Sequence, residues 1–353
     1  MRLLLATDAW QPQVNGVVRT LTTVVGELHD MGHEVEVISP ADYPTVPLPS
    51  YPEIRIAVWM RGLAERIDAF DPDAIHISTE GPIGSKVRRY CLRRGYDFTT
   101  GFHTRFPEYL HERIPVPLSW SYPLMWRFHA AAVRTLVPTR SLKTELEARG
   151  FEHMVVWGRG VDTALFHAGL REEAESADLE RPIMLNVGRV AVEKNLEAFL
   201  ALNVPGTRVV VGDGPALKML REKYPDVVYA GMKHGAELAH YYAQADVFVF
   251  PSLTDTFGLV MLEALACGTP VAAFPVTGPL DVLQAGVTGV MDDNLAAAIA
   301  QALELDRAVC ADNARRFSWK HIALQLLQAF TPVNSDKRQA MTEAKWVNQD
   351  IPA

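Results

Sequence analysis

The sequence predicts an α/β fold made of two successive sets of mostly parallel strands with helices between them. Three observations carry that prediction. Arg2–Thr7 reads as a buried strand, Val17–Leu28 repeats apolar residues at helical spacing, and Glu34–Ser39 is strand-like again, which makes a βαβ unit. A second set starts with the apolar run Ile183–Val187. Val247–Phe250 is a third such run, followed by a loop, a helical stretch and the strand-like Val271–Phe274. A chain of 353 residues has room for two domains of ordinary size.

The stretch Ser252–Pro270 is the most informative. It carries two carboxylates, Asp255 and Glu263, around Phe257-Gly258 and an apolar run ending in Gly268 and Pro270. Ser252–Asp255 supplies cap residues, the helix is expected from about Phe257, and Gly268 with Pro270 stops it. The loop follows a strand expected to be parallel, where open α/β sheets bind ligands. A helix N-terminus there suits an anion such as diphosphate, and Gly258 clears space for it. Acceptor-only carboxylates beside it suit sugar hydroxyls. The plainer reading is a buried helix with a capping Asp and one polar Glu.

The remaining elements follow in order. Asn15-Gly16 is a turn before the first helix, where Gly16 either lets a ligand reach backbone amides or only makes the turn. No GxGxxG is present, so the dinucleotide fingerprint is missing. Ala41–Pro52 reads as loop, Ile54–Val58 as strand and Gly62–Phe70 as helix. Asp71 and Asp73 form a D-x-D, read as a solvated turn rather than a metal site. Gly84–Arg94 is a helix bearing Lys86, Arg88, Arg89, Arg93 and Arg94, and Ser119–Arg134 adds Trp120, Tyr122, Trp126, Arg127 and Phe128. Such residues suit an anionic membrane surface, or equally a solvated basic helix and an aromatic core helix. His103 ends a strand-like run, either as a substrate ligand or as a structural histidine. Leu136–Pro138, Met154–Trp157, Val209–Val211 and Val227–Ala230 are strands, and Ser141–Arg149, Ala236–Ala243, Ala296–Leu305 and Phe317–Phe330 are helices. Arg189 and Lys194 flank the loop after Ile183–Val187, two cations that would neutralise a diphosphate.

Composition narrows the class. The first 160 residues hold 18 basic and 18 acidic side chains, and the rest 16 and 24, so the net charge of −8 belongs to the second half. The basic excess of a nucleic-acid-binding domain is missing, and no such partner is expected. No run of eighteen apolar residues occurs, and the start reads as a strand rather than a leader. The cysteines, Cys91, Cys267 and Cys310, are scattered and unpaired in pattern, which fits a reducing cytoplasm.

Seven stretches, PQVNGV at 12–17, GHEVEVISP at 32–40, GFHT at 101–104, GRGVD at 158–162, GRVAVEKN at 188–195, GDGP at 212–215 and TDTFGLVMLEALACGTPV at 254–271, together resemble the retaining glycosyltransferases of family 4 over about residues 1–330. The resemblance implies the GT-B fold, two facing Rossmann-like domains with mostly parallel sheets. The first, 1–167, would bind the acceptor, 168–180 would link, and 181–316 would bind the nucleotide sugar. Residues 317–330 would pack back on the first domain, and 331–353 would form a tail.

The resemblance also carries roles onto this chain. Gly16 would approach the donor diphosphate and sugar, and His103 the sugar near the reaction centre. Arg189 and Lys194 would bind the diphosphate, and the backbone after Gly231 the base. Asp255 would hold the sugar hydroxyls with the amides of Phe257, Gly258 and Leu259, and Glu263 the ribose. The family usually has Glu where this chain has Asp255, which bears on sugar choice more than on reaction type. The implied reaction is retaining, metal-independent hexosyl transfer from a UDP- or GDP-sugar, without a cofactor. PQVNGV and GRGVD also resemble lipid mannosyltransferases and diacylglycerol glycosyltransferases. A membrane-lipid acceptor and a peripheral place on the inner face of the cell membrane are therefore expected. The alternatives are a soluble or polysaccharide-precursor acceptor, or an epimerase or hydrolase acting on the nucleotide sugar.

Overall fold

The computed structural model describes residues 1–13, 15–48, 51–103, 117–173, 179–255 and 257–337. The chain forms two compact units, one of residues up to Gly158 together with those from Trp319 on, the other Arg159–Ser318. Val14 and Thr104, both within the quoted motifs, Thr256, and the tail beyond Lys337 lie outside the described residues.

The first unit begins β1 (Arg2–Ala6), α1 (Gly16–Asp30), β2 (Glu34–Ile38), and the antiparallel hairpin β3 (Thr45–Leu48)–β4 (Tyr51–Ala57). Then follow α2 (Leu63–Phe70), β5 (Ala74–Ile77), α3 (Pro82–Arg94), β6 (Thr99–Gly101), α4 (Leu118–His129), β7 (Arg134–Val137), α5 (Arg140–Ala148) and β8 (Met154–Val156). The described strands form a parallel sheet in the order β2-β1-β5-β6-β7-β8. β1 is apolar almost throughout because helices cover both faces of such a sheet. α1 starts where Asn15 caps it, the side-chain oxygen accepting the amides of Val17 and Val18 at 3.0 Å each. Its buried face, Val18, Leu21, Val24 and Leu28, follows the helical period.

The second unit holds β9 (Ile183–Val187), α6 (Leu196–Leu200), β10 (Thr207–Val211), α7 (Leu217–Lys223), β11 (Val228–Gly231), α8 (Gly235–Gln244) and β12 (Val247–Phe250). It continues with α9 (Leu259–Ala266), β13 (Val271–Ala273), a short helix Pro279–Val282, β14 (Gly289–Met291), α10 (Leu295–Ala302) and α11 (Arg307–Ala314). Its described strands also form a parallel sheet, in the order β11-β10-β9-β12-β13-β14. α9 is buried almost all round, sandwiched between β12, β13, α8 and α11, so its apolar residues show no amphipathic stripe.

The chain then returns to the first unit. α12 (Trp319–Ala329) packs along α1, and the segment behind it bridges β5 through Ala74 and Pro332. The division at Gly158 falls inside GRGVD rather than at 167. Val161 and Phe166 belong to the second unit's core, and the Val161 amide donates to the Phe317 carbonyl at 2.7 Å. Within the stretch read as a linker, Leu170–Glu173 is helical. Arg171 donates to the carbonyls of Ala243 and Ala245 at 3.1 and 3.0 Å and to Asp246 at 2.8 Å.

Candidate active site

In each sheet the strand order reverses at one place, and there the loops leaving two neighbouring strands diverge to opposite sides. The second sheet reverses between β9 and β12. Open α/β sheets bind ligands outside the carboxyl ends of such a pair. The loop after β9 carries Arg189 and Lys194, and the loop after β12 carries Asp255 and Gly258. The fold therefore gathers at one reversal point two pairs of residues that lie 61 or more positions apart.

Their geometry is specific. Lys194 Nζ donates to Asp255 Oδ1 at 2.6 Å and Oδ2 at 2.8 Å, with the two side chains 32% and 24% exposed. Asn195, in the left-handed region at φ 51°, sends its amide to the Pro251 carbonyl at 3.1 Å, which pins one loop to the other. Asn186 donates to the Val249 carbonyl at 2.9 Å from within the sheet. Arg189 is exposed at the start of its loop. The GDGP turn supports the same loop from the other side. The Val190 amide donates to Asp213 O at 2.9 Å, and a Cβ on Gly212 would meet Gly188 O at 1.9 Å, so only glycine fits.

α9 starts at Leu259, two residues later than expected, and no side chain caps it. Asp255 is thus an ion-pair partner of Lys194 and not the helix cap that the plainer reading made of it. Gly258 has φ 81°, and a Cβ there would lie 2.8 Å from Met261 Cε, so the turn into the helix needs glycine. Phe257 is buried beside it and Leu259 opens the helix. Glu263 is buried one turn along, its Oε2 accepting the Tyr242 hydroxyl at 2.8 Å. Gly231 ends β11 at φ 72°, and its carbonyl accepts the Gly212 amide at 2.9 Å.

Two candidates belong to the first unit. His103 is buried after β6, its ring 5.6 Å from that of Trp157. A Cβ on Gly101 would lie 2.4 Å from His103 Nε2, so the glycine of GFHT makes room for the ring. Gly16 is the first residue of α1 rather than a residue before it. Asn15 takes the amides of Val17 and Val18, the next two residues of the helix.

Other readings also resolve. Asp71 pairs with Arg2 and, at 2.9 Å, with Lys337, which also lies 3.1 Å from Asp73. The D-x-D turn is solvated, as expected, with Asp71 54% exposed, and it also carries an ion-pair cluster. On α3, Arg88 donates to the carbonyls of Phe128 and Arg127 at 2.8 Å each, Lys86 to that of Met60, and Arg94 pairs with Asp68 at 2.6 Å. Much of that basic helix is structural. Residues the sequence did not single out are Tyr242, Asn186, Asp8 and His129. Each acts through a partner at least 21 positions away, a distance no local pattern reports.

The description "Glycosyltransferase Family 4" matches residues 14–165, and "Glycosyl transferases group 1" matches 181–305. A GDP-mannose-dependent alpha-mannosyltransferase of Mycolicibacterium smegmatis is 32% identical over 83% of this chain and 84% of its own length. This chain belongs to glycosyltransferase family 4. It is a glycosyltransferase of the GT-B fold class. An alpha-monoglucosyldiacylglycerol synthase of Streptococcus pneumoniae is 27% identical, over 77% of this chain and 71% of its own. Sucrose-phosphate synthase from Thermosynechococcus elongatus superposes with a TM-score of 0.72 at 22% identity, covering 97% of this chain and 99% of that one, a likeness of fold.

Proposed function

We propose that this glycosyltransferase moves a hexosyl unit, with retention of configuration, from a nucleotide-diphosphate sugar to a hydroxyl of a membrane lipid such as diacylglycerol or a glycolipid. The observation that carries the reading is the Lys194–Asp255 pair at the β9/β12 reversal, with Arg189 on one loop and the Gly258–Leu259 turn on the other.

 Two cations and a helix start would carry the charge that grows on the departing diphosphate, the largest electrostatic demand of such a transfer. Asp255 would hold sugar hydroxyls and Glu263 the ribose, with the backbone beyond Gly231 meeting the base. His103 and Gly16 would act from the first unit, which we assign to the acceptor. GDP-mannose is the first donor to try, because relatives at 30% and 32% identity are named GDP-mannose-dependent alpha-mannosyltransferases.

The lipid acceptor has its own support. Trp120 and Leu124, one turn apart on α4, are 75% and 70% exposed, with Arg127 exposed on the next turn. Apolar side chains beside cations suit an anionic bilayer. No helix among the described residues is long and apolar enough to cross a membrane, so this contact would be peripheral. The test is a panel of UDP- and GDP-sugars, scored first by thermal stabilisation and then by transfer to diacylglycerol and its glycosides. One donor should raise the melting temperature and label a lipid. Donor turnover with no labelled hydroxyl acceptor would sink the reading. Flotation with anionic vesicles at low salt should carry the protein, and Trp120→Ala with Leu124→Ala should reduce that; no flotation at all removes the membrane contact.

A further inference from the structure

The first sheet also reverses, between β1 and β5, and the loop after β5 places a carboxylate there, Glu80. Several contacts fix it. The Glu80 carbonyl accepts the Ser85 hydroxyl at 3.1 Å. The next residue must be glycine, because a Cβ on Gly81 would lie 2.4 Å from the Asp8 carboxyl carbon. Asp8, just after β1, accepts the amides of Ile83 at 2.9 Å and Gly84 at 3.2 Å and the Thr79 hydroxyl at 2.9 Å. Burial raises the Asp8 pKa against those bonds. The loops on the two sides of the reversal are thereby locked together.

The side chain is fixed as well. Glu80 Oε1 lies 3.2 Å from His129 Nε2; the imidazole is 2% exposed and the carboxylate 22%. His129 Nδ1 is 2.9 Å from Thr100 Oγ1, which is 3.0 Å from Thr135 Oγ1. With the imidazole neutral, one direction of donation satisfies the whole chain. Thr135 donates to Thr100, Thr100 to Nδ1, and Nε2–H to Glu80, which stays an acceptor. Phe102, Phe128 and Phe151 surround the imidazole at 5.5, 5.2 and 6.3 Å between ring centres, so it has little room to turn. A buried relay thus ends on a carboxylate that still reaches solvent, at the place where such sheets take ligands.

We propose that Glu80 is an acceptor-binding residue whose carboxylate receives a hydrogen bond from a hydroxyl of a polyol headgroup, sugar or glycerol. His129 is the positioning residue that aims it. The inference rests on the assignment of the first unit to the acceptor. The test is steady-state transfer by the full chain with the donor chosen by the panel, to a diacylglycerol glycoside in mixed micelles and to the same glycoside free in water. Glu80→Gln should lower kcat/KM for both acceptors tenfold or more, the cost of a hydrogen bond to charge, while the donor KM stays within twofold. A loss confined to the micellar acceptor would place Glu80 at the lipid and overturn the headgroup assignment. His129→Phe should reproduce the acceptor defect, and His129→Gln, whose amide still reaches Glu80, should fall between. Melting curves report the fold of each variant, and Thr100→Val probes the same relay if His129→Phe melts early. Wild-type acceptor kinetics in Glu80→Gln, or equal losses toward donor and acceptor, overturn the proposal. A wild-type chain that consumes donor but glycosylates neither acceptor overturns the acceptor assignment instead.

Discussion

Lys194 reaches both oxygens of Asp255, so a phosphate entering that loop must share or replace a two-point contact. Lys194→Ala should lower kcat/KM for the donor about 100-fold, as the loss of one charge-stabilising donor does elsewhere, and should abolish thermal stabilisation by the nucleotide sugar. Unchanged values for both would remove Lys194 from the site. Glu263 calls for a different substitution. Truncating it to Ala would take a hydrogen bond from the Tyr242 hydroxyl and open a hole in the core, so lost activity would be confounded with lost stability. Glu263→Gln keeps an acceptor for Tyr242 and removes the charge. It should melt near the wild type while losing donor affinity, and the pair of readings separates ribose binding from packing. The loop and helix that carry Asp255 and Glu263 were legible in the sequence, because a strand-like run precedes them and a glycine and a proline stop the helix. The Tyr242 partner was not, since it lies on another helix, α8.

The strands that build the second reversal were the easiest elements to read. β9 and β12 are apolar, β-branched or aromatic runs that end at glycine or proline, and both match their expected spans. β14 was missed because three residues show no period, and β3 because Pro47 sits in it and the surrounding prolines read as loop, while Ile54–Val58 caught the second half of β4. α6, α7 and α11 were missed too; they span five to eight residues, about two turns or fewer, too few for a clear stripe. Glycine turns were visible as turns, but the sequence does not say how close the next backbone comes. At Gly212 it comes very close, and φ is +138°. Gly212→Ala should therefore destabilise the second unit by at least about 2 kcal/mol, by strain and by displacing the Arg189–Lys194 loop. Chemical denaturation measures the first effect and donor-induced stabilisation the second. A variant that matches the wild type in both would show that the GDGP turn does not support that loop.

At the scale of the molecule, two α/β sets were legible from the order of strands and helices, and the return of the last helix to the first unit followed only from the family resemblance. That return has a consequence no local pattern carries. Phe330, just after α12, and Trp157, just after β8, meet His76 in β5 edge-on at 6.2 and 6.1 Å. His76 is fully buried, with Nδ1 2.9 Å from Thr99 Oγ1, and burial pushes its pKa down to about 3 from 6.5. The unfolded chain therefore binds a proton here between pH 6.5 and about 3 that the folded chain refuses. Stability is fully present above pH 6.5 and falls as pH drops through that window, by about 1.4 kcal/mol per unit, or about 2 kcal/mol by pH 5. His33, whose pKa burial also lowers, adds a loss of the same sign. Denaturation followed by tryptophan fluorescence at pH 7 and pH 5 tests the share due to His76. His76→Leu should start less stable or equal at pH 7, yet lose about 2 kcal/mol less than the wild type on going to pH 5. If variant and wild type lose the same amount, the proton is taken up elsewhere, and the seam closed by Phe330 and Trp157 is not what acid opens first.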